Sequence, residues 1–260
     1  MAARAAIAVL VLATLTAVPA PAHAASRILL PHLSNWPFRP PITPTPPAGC
    51  APSAGAVGAL SIDGRPSDRP AEHHADLNLA LRGFTAAPDA PGLVDYGGGT
   101  DRHAPKLSGL LGGAPVIGRA SFRVNDWVWA SNARGGPIAA WPVTLLVVGT
   151  VPGQTIHVPP SGYDIGSGYG ALVLYAAPGR ATLKYTRDDN VVRGYTVHVE
   201  GVCVDPVLLE HYRAADAAGR RRLPALKGGQ ALGRAMGDGV GVAIRDAGSF
   251  MDPRSRKDWW

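Results

Sequence analysis

Two stretches decide the fold: GQTIHVPPSGYDIGSGYGALVLYAAPGRATLKYTRDD (Gly153–Asp189) and LPALKGGQALGRAMGDGVGVAIRDAGSFMDP (Leu223–Pro253). In both, short apolar runs alternate with Gly, Pro and Asp, the punctuation of brief strands joined by tight turns. Strands are expected over Gln154–Val158, Ala171–Ala176, Ala181–Arg187, Tyr195–Gly201, Gln230–Ala235 and Val240–Arg245, with Pro178-Gly179 as a hairpin turn. Upstream, Val143–Val148 is continuously apolar between Pro142 and Gly149, as in a strand buried on both faces. Between the two stretches, Asp205 fits a helix N-cap and Pro206 the first helical position. Leu208, Leu209 and Tyr212 line one face of that helix, and Gly219 ends it. The expected class is mainly β: a small C-terminal barrel or sandwich over 142–260, with one helical insertion near 205–219.

The segment 50–141 reads as a β-rich N-terminal region, either a separate small sandwich or an extension of the barrel sheet. Leu77, Leu79 and Leu81 alternate with Asp76, Asn78 and Ala80, the period of a half-buried strand. Ser121–Val124 and Trp127–Ala130 read as a strand pair around Asn125-Asp126. Gly97-Gly98-Gly99 is expected in a loop, because three glycines cost too much backbone entropy inside an element.

Residues 1–24 match an export signal: Arg4, an apolar run from Ala5 to Val18, then Ala22-His23-Ala24 as a cleavage site. That run is shorter than the roughly 20 residues a membrane-spanning helix needs. Residues 25–49 carry 7 prolines and read as a stiff polyproline spacer. The chain is therefore expected to be extracytoplasmic, with no transmembrane span once the signal is removed. A formal charge of +6 on 260 residues is spread over several short clusters, which suits an anionic cell surface better than nucleic acid. Outside the cytoplasm the two cysteines, Cys50 and Cys203, are expected to be bridged, with two free buried thiols as the alternative.

Gly153–Pro253 resembles the lysostaphin-like zinc metallopeptidases, peptidase family M23, whose β-barrel is also called the duplicated hybrid motif. GQTIHVPPSG stands where that family has a G-x-x-V-x-A-x-x-x-G strand and turn, and GYGALVLYA is similar to the glycine-led strand that follows. ATLKYTR resembles its strand ending in Tyr-x-His, LPALKGGQALGRAM its G-Q-x-I-G turn, and GVGVAIRD with FMDP its closing strand and Asp-Pro. The resemblance covers about 110 residues of the 260 and implies the family's scaffold. It does not carry the family's chemistry. That chemistry needs one zinc held by a His and an Asp of an early strand and by the second His of a later His-x-His. Here Pro142–Val148 has neither His nor Asp, Gly239-Val240-Gly241 replaces His-x-His, and Arg187 stands where a further active-site His is expected.

Other residues could rebuild a metal site. Glu72-His73-His74-Ala75-Asp76 is the richest ligand cluster, and on a strand His74 and Asp76 would face the same way. With His157 or His198 they would make a three-ligand zinc site; the plainer reading makes them loop residues. His198 and Glu200 share one strand face, where a solvated cross-strand pair is expected. Asp188-Asp189-Asn190 reads as a turn. Trp127, Trp129 and Trp141 are candidates for a binding surface that stacks flat rings on sugar or peptide; packing of Trp127 and Trp129 into the core is the simpler expectation.

The leading expectation is an exported, non-catalytic envelope protein that binds or scaffolds cell-wall glycan or peptide. A zinc-dependent cell-wall peptidase using His73, His74, Asp76, His157 and His198 is the alternative, and a purely structural surface domain a third.

Overall fold

The computed structural model describes Cys50 and residues 55–260; the expected signal (1–24) and all of the spacer (25–49) lie outside the described residues. In chain order the strands begin with β1 (Gly58–Ser61), β2 (Phe84–Ala86), β3 (Gly118–Val128), β4 (Ala133–Pro137), β5 (Leu145–Gly149), β6 (Thr155–His157) and β7 (Ala171–Ala177). They continue with β8 (Arg180–Lys184), β9 (Thr196–Glu200), β10 (Val202–Val204), β11 (Arg222–Leu226), β12 (Ala231–Ala235), β13 (Gly239–Asp246) and β14 (Ser249–Phe250). Among the described residues these are joined by two α-helices, α1 (Pro206–Ala217) and the single turn α2 (Arg256–Trp259), and by three short 3-10 turns.

The main sheet runs β1-β11-β7-β8-β9-β13-β5-β3-β2, with β14 on β13 and β4 on β3, while β10-β12-β6 form a second sheet. All strand pairings between these elements are antiparallel. The mainly-β class thus holds. The N-terminal region extends the main sheet at both ends, through β1 on β11 and β3 on β5.

The burial pattern explains the sequence pattern. On β5, Leu146 and Val148 enter the main core, where they meet β6, β7, β9 and β13, while Leu145 and Val147 join a smaller cluster with Leu79, Val124, Ala243 and Phe250. Both faces of that strand are covered, so a continuous apolar run is the pattern it needs. The β7–β8 hairpin turns at Pro178-Gly179, as expected. Asp205 caps α1 by accepting hydrogen bonds from the Val207 and Leu208 amides at 2.9 and 3.4 Å. Leu208, Leu209 and Tyr212 are the buried face of α1, which packs on β11 and β7. Cys50 and Cys203 are disulfide-bonded with their Cα atoms 5.9 Å apart, tying the first described residue to β10.

Three local expectations are corrected. Leu77–Leu81 is not a strand: Leu79–Leu81 is a 3-10 turn, following another at Ala71–His73. The amides of His74, Leu77, Asn78 and Leu81 bond to carbonyls three or four residues back, so no ladder is left to make. Leu77 and Leu79 are buried nonetheless. Asn125-Asp126 is not a turn but the middle of β3, bulged against β4. The Asn125 amide donates to the Arg82 carbonyl and accepts from the Thr85 hydroxyl, which satisfies a polar side chain inside the sheet. Asp189 is not a solvated turn residue: its fully buried carboxylate takes two hydrogen bonds from Arg220, at 2.6 and 2.9 Å, and one from the Ser67 amide.

His198 and Glu200 depart furthest from expectation, since both are buried. Glu200 is matched by Arg180 on the neighbouring strand at 2.9 Å. The Thr182 hydroxyl gives its hydrogen to the Leu77 carbonyl at 2.6 Å, so it accepts from His198 Nδ1 at 3.0 Å. That assigns the Nδ1–H tautomer and leaves Nε2 as a buried acceptor without a partner. Burial, reinforced by the Arg245 charge, holds this imidazole well below its ordinary value of 6.5. The unfolded chain then takes up a proton near 6.5 that the native state refuses, so stability is complete above that pH and is lost as pH falls through it. Stability should drop by about 1.4 kcal/mol per pH unit between about pH 6.5 and 5. Urea unfolding at several pH values checks this; His198→Gln, which does not titrate, should flatten the slope across that window.

Candidate functional site

An open cleft of about 260 Å³ lies beside the C-terminal turn, with Tyr96, Trp141, Tyr195 and Trp259 among its walls and Asp101 and Asp246 at its polar edge. The four rings come from segments far apart in the chain, and the Asp252-Pro253 turn organises them. Tyr96 Oη donates to Asp252 Oδ2 at 2.7 Å, and Trp259 Nε1 donates to the Asp252 carbonyl at 2.8 Å. Asp252 is itself held by Arg254, whose Nε and Nη2 donate to its carboxylate at 3.0 and 2.8 Å. Trp141 meets Tyr96 edge to face at 5.4 Å, and Tyr195 meets Trp259 edge to face at 6.0 Å. The polar tips of Tyr96 and Trp259 are thus used inside the protein, which fixes both rings; Trp259 is buried and backs the cleft, while Tyr96 is half-buried at its wall.

The polar edge is equally fixed. Tyr163, exposed and 6.2 Å from Tyr195 between ring centres, donates its hydroxyl to Asp101 Oδ2 at 2.6 Å. That bond pushes the Tyr163 phenol up to about 12 and holds the Asp101 carboxyl below its usual range. Burial, and then the charges of Asp246 and Asp101, push the Tyr195 phenol up as well. Asp258 is held low: hydrogen bonds from Ser255 and Lys257 outweigh its burial. At neutral pH neutral phenols therefore stand beside the ionised carboxylates of Asp101 and Asp258. This is a surface that accepts hydrogen bonds from hydroxyl or ammonium groups beside flat apolar rings. A general acid needs a carboxyl raised towards neutral pH, and Asp101 and Asp258 are shifted the other way.

Of the three tryptophans singled out from the sequence, Trp141 lies in this cleft and the other two lie elsewhere. Trp127 and Trp129 are not core residues. They stand on the β3–β4 hairpin with ring centres 6.5 Å apart, Trp127 half-buried and Trp129 exposed. The Arg69 guanidinium sits 4.9 Å over Trp129, and His74 meets the same ring at 5.2 Å. Tyr96, Tyr195, Trp259, Asp101 and Asp246 were not anticipated from the sequence. The Gly97-Gly98-Gly99 stretch was read there as a loop, but only the fold brings it beside these rings.

The five proposed metal ligands do not converge. His73 is exposed beside Glu72, and His74 faces Asp68 and Trp129. Asp76 is occupied by Arg82 and Arg245, each at 2.7 Å. His157 bonds the Gly229 carbonyl through Nδ1 at 3.0 Å, and His198 is enclosed against Thr182. Local turns, in place of a strand over Leu77–Leu81, remove the geometry that would have aimed His74 and Asp76 together. Among the described residues, no three His, Cys, Asp or Glu side chains form a group able to hold a metal ion.

At the strand where the resemblance places His-x-His, Gly241 lies on β13 opposite Glu200 of β9. A Cβ at Gly241 would come within 3.3 Å of the Glu200 Cβ and 3.4 Å of the Leu145 side chain. Close strand packing and the Arg180–Glu200 ion pair occupy that place. Burial raises the Glu200 carboxyl, and the Arg180 charge opposes the rise. No protein-family model, curated protein or solved structure matches this chain.

Proposed function

We propose that this is an exported, non-catalytic domain of the bacterial cell envelope that holds cell-wall glycan or peptide in the cleft of Tyr96, Trp141, Tyr195 and Trp259. The observation that carries this reading is the cleft's composition: rings fixed through their polar tips, beside carboxylates kept ionised. Sugar rings present flat CH faces and hydroxyl donors, and wall peptides present ammonium groups; both fit such a lining. Export is supported by the signal-like residues 1–24 and by the disulfide, a bond typical of oxidising compartments.

The scaffold is read as a degenerate relative of the lysostaphin-like peptidases. The order of glycine turns in the sequence supports this, and at Gly241 a larger side chain would crowd Glu200 and Leu145. A zinc peptidase with rearranged ligands draws no support from the scattered positions of His73, His74, Asp76, His157 and His198.

Co-sedimentation with purified insoluble cell wall tests the proposal. The protein should be retained, and Trp141→Ala should weaken retention about tenfold, the loss expected when a central aromatic contact is removed. Trp129→Ala, which alters the separate hairpin patch, should leave retention unchanged. Passage of the unaltered protein through wall material without retention would favour the purely structural reading.

A further inference from the structure

A second cleft, of about 460 Å³, lies between residues 136–140 and the β13–β14 hairpin, and Arg82 and Arg245 are part of its lining. Their side chains are only 5% and 6% exposed, yet both donate to the same oxygen, Asp76 Oδ1. Two buried cations thus share one half-buried carboxylate. Their other fixed partners are uncharged: Arg82 donates to the Ala75 and Asn125 carbonyls, and Arg245 to the Gly248 carbonyl. Asp126 is the remaining nearby acid. It is 71% exposed, lies 3.5 Å from Arg82, and its nearer oxygen already accepts the Trp127 amide at 2.8 Å. A carboxylate so hydrated compensates a buried charge only weakly.

The ring of Phe250 fixes the pair from one side, with the Arg245 guanidinium 4.5 Å and the Arg82 guanidinium 5.7 Å from its centre. The hairpin fixes Arg245 from another. Ala247 and Gly248, at φ 44° and 83°, make the two-residue turn whose carbonyl holds the Arg245 fork. A guanidinium has five N–H donors, and the hydrogen bonds among the described residues use three of those on Arg245. One donor on each terminal nitrogen is left over. Burial, with Arg82 close by, holds Arg245 below its ordinary range despite Asp76, as expected of a cation short of countercharge.

We propose that this cleft binds a single oxyanion, the carboxylate or phosphate group of a larger ligand, on the Arg82–Arg245 pair. Guanidinium groups recognise both through paired N–H···O contacts, and a pair already held in place favours such binding. The proposal does not depend on the reading of the aromatic cleft. The two clefts are nonetheless joined along the chain, because Ala140 and Phe250 of one precede Trp141 and Met251 of the other.

The test is titration of the protein with sodium acetate and, separately, inorganic phosphate at low ionic strength, followed by NMR of the arginine Nε–H signals. A saturable shift of the Arg245 and Arg82 signals is expected, and the anion that saturates at lower concentration identifies the carboxylate or the phosphate as the better fit. Ser249→Glu places a carboxylate on an exposed wall of the cleft without touching the core, and should abolish the shift. Asp126→Asn removes the rim's negative charge and should tighten binding about fivefold, the effect of one charge a few ångströms away through water. The proposal is overturned if neither anion gives a saturable shift, if Ser249→Glu binds as the unaltered protein does, or if Asp126→Asn fails to tighten binding.

Discussion

Asp189→Asn should destabilise the protein by about 3–5 kcal/mol, because it leaves the buried Arg220 guanidinium with only the part-exposed Asp216 as countercharge. Arg220 follows the end of α1 and adopts a left-handed backbone conformation, φ 63°, that aims its side chain inward. From there it bonds both Asp189 oxygens, Asp216, the Tyr212 hydroxyl and the Leu174 carbonyl at 2.8 Å. Asp189 in turn receives the Ser67 amide at 2.9 Å. One ion pair therefore joins the helical insertion, β7, the segment after β8 and the N-terminal region. Burial opposes the Arg220 charge, but the Asp189 bonds and charge outweigh it and hold the guanidinium above its ordinary range. In a domain of this size the loss corresponds to a melting temperature lower by about 10 °C. The double variant Asp189→Asn, Arg220→Met removes both charges and should recover part of that loss, which a double-mutant cycle would read as coupling. A drop under about 1 kcal/mol for Asp189→Asn would mean the pair is not the clasp described.

Opening the Cys50–Cys203 bond should have the next largest effect. The bond closes a separation of 153 residues, for which the chain-entropy estimate is about 5 kcal/mol, against measured losses of about 2–5 kcal/mol for native disulfides. Cys203 is buried on β10 between elements of the core, whereas Cys50 is half-buried at the edge of the described residues. Cys50→Ser thus removes the cross-link with little loss of packing, and should match the unaltered protein under reducing conditions. Chemical unfolding with and without reductant checks both points. An unfolding midpoint that reductant leaves unchanged would contradict the role assigned to the bond.

Much of the fold was legible where backbone chemistry is local. The Pro178-Gly179 turn, the Asp205-Pro206 helix start and the doubly buried run at β5 each carry their cause in adjacent residues. One failure is local, and the others originate in long-range contacts. The alternation of Leu77, Leu79 and Leu81 matches a strand, but local carbonyls satisfy those amides first. His198 and Glu200 carry polar side chains and were expected in solvent. Thr182 and Arg180, across the strand, make burial possible, and nothing in the spacing of the sequence pairs them. The aromatic cleft was only one-quarter visible for the same reason. Trp141 stood out as a large flat residue, but Tyr96, Tyr195 and Trp259 gain meaning only when the Asp252-Pro253 turn gathers them.

The non-catalytic reading rests on where charge is held as well as on what is missing from the resemblance. Asp76, the acid once aligned with a histidine cluster, is committed to two arginines, which hold its carboxyl low against the pull of burial. Both guanidiniums sit on its Oδ1, which two cations therefore already share. Several ionisable groups of the interior are thus structural pairs, Arg220–Asp189, Arg180–Glu200 and Arg254–Asp252 among them, and Asp101 and Asp258 beside the aromatic cleft accept hydrogen bonds.

The central claim, that this cleft holds wall material, is tested most directly by the intrinsic tryptophan emission of the protein during titration with soluble cell-wall fragments. Trp141 and Trp259 both line the cleft. A saturable change in emission that Trp141→Phe reduces and Tyr96→Ala weakens about tenfold is the predicted result. Emission that stays constant through the titration, or a change that survives both substitutions unaltered, would contradict it.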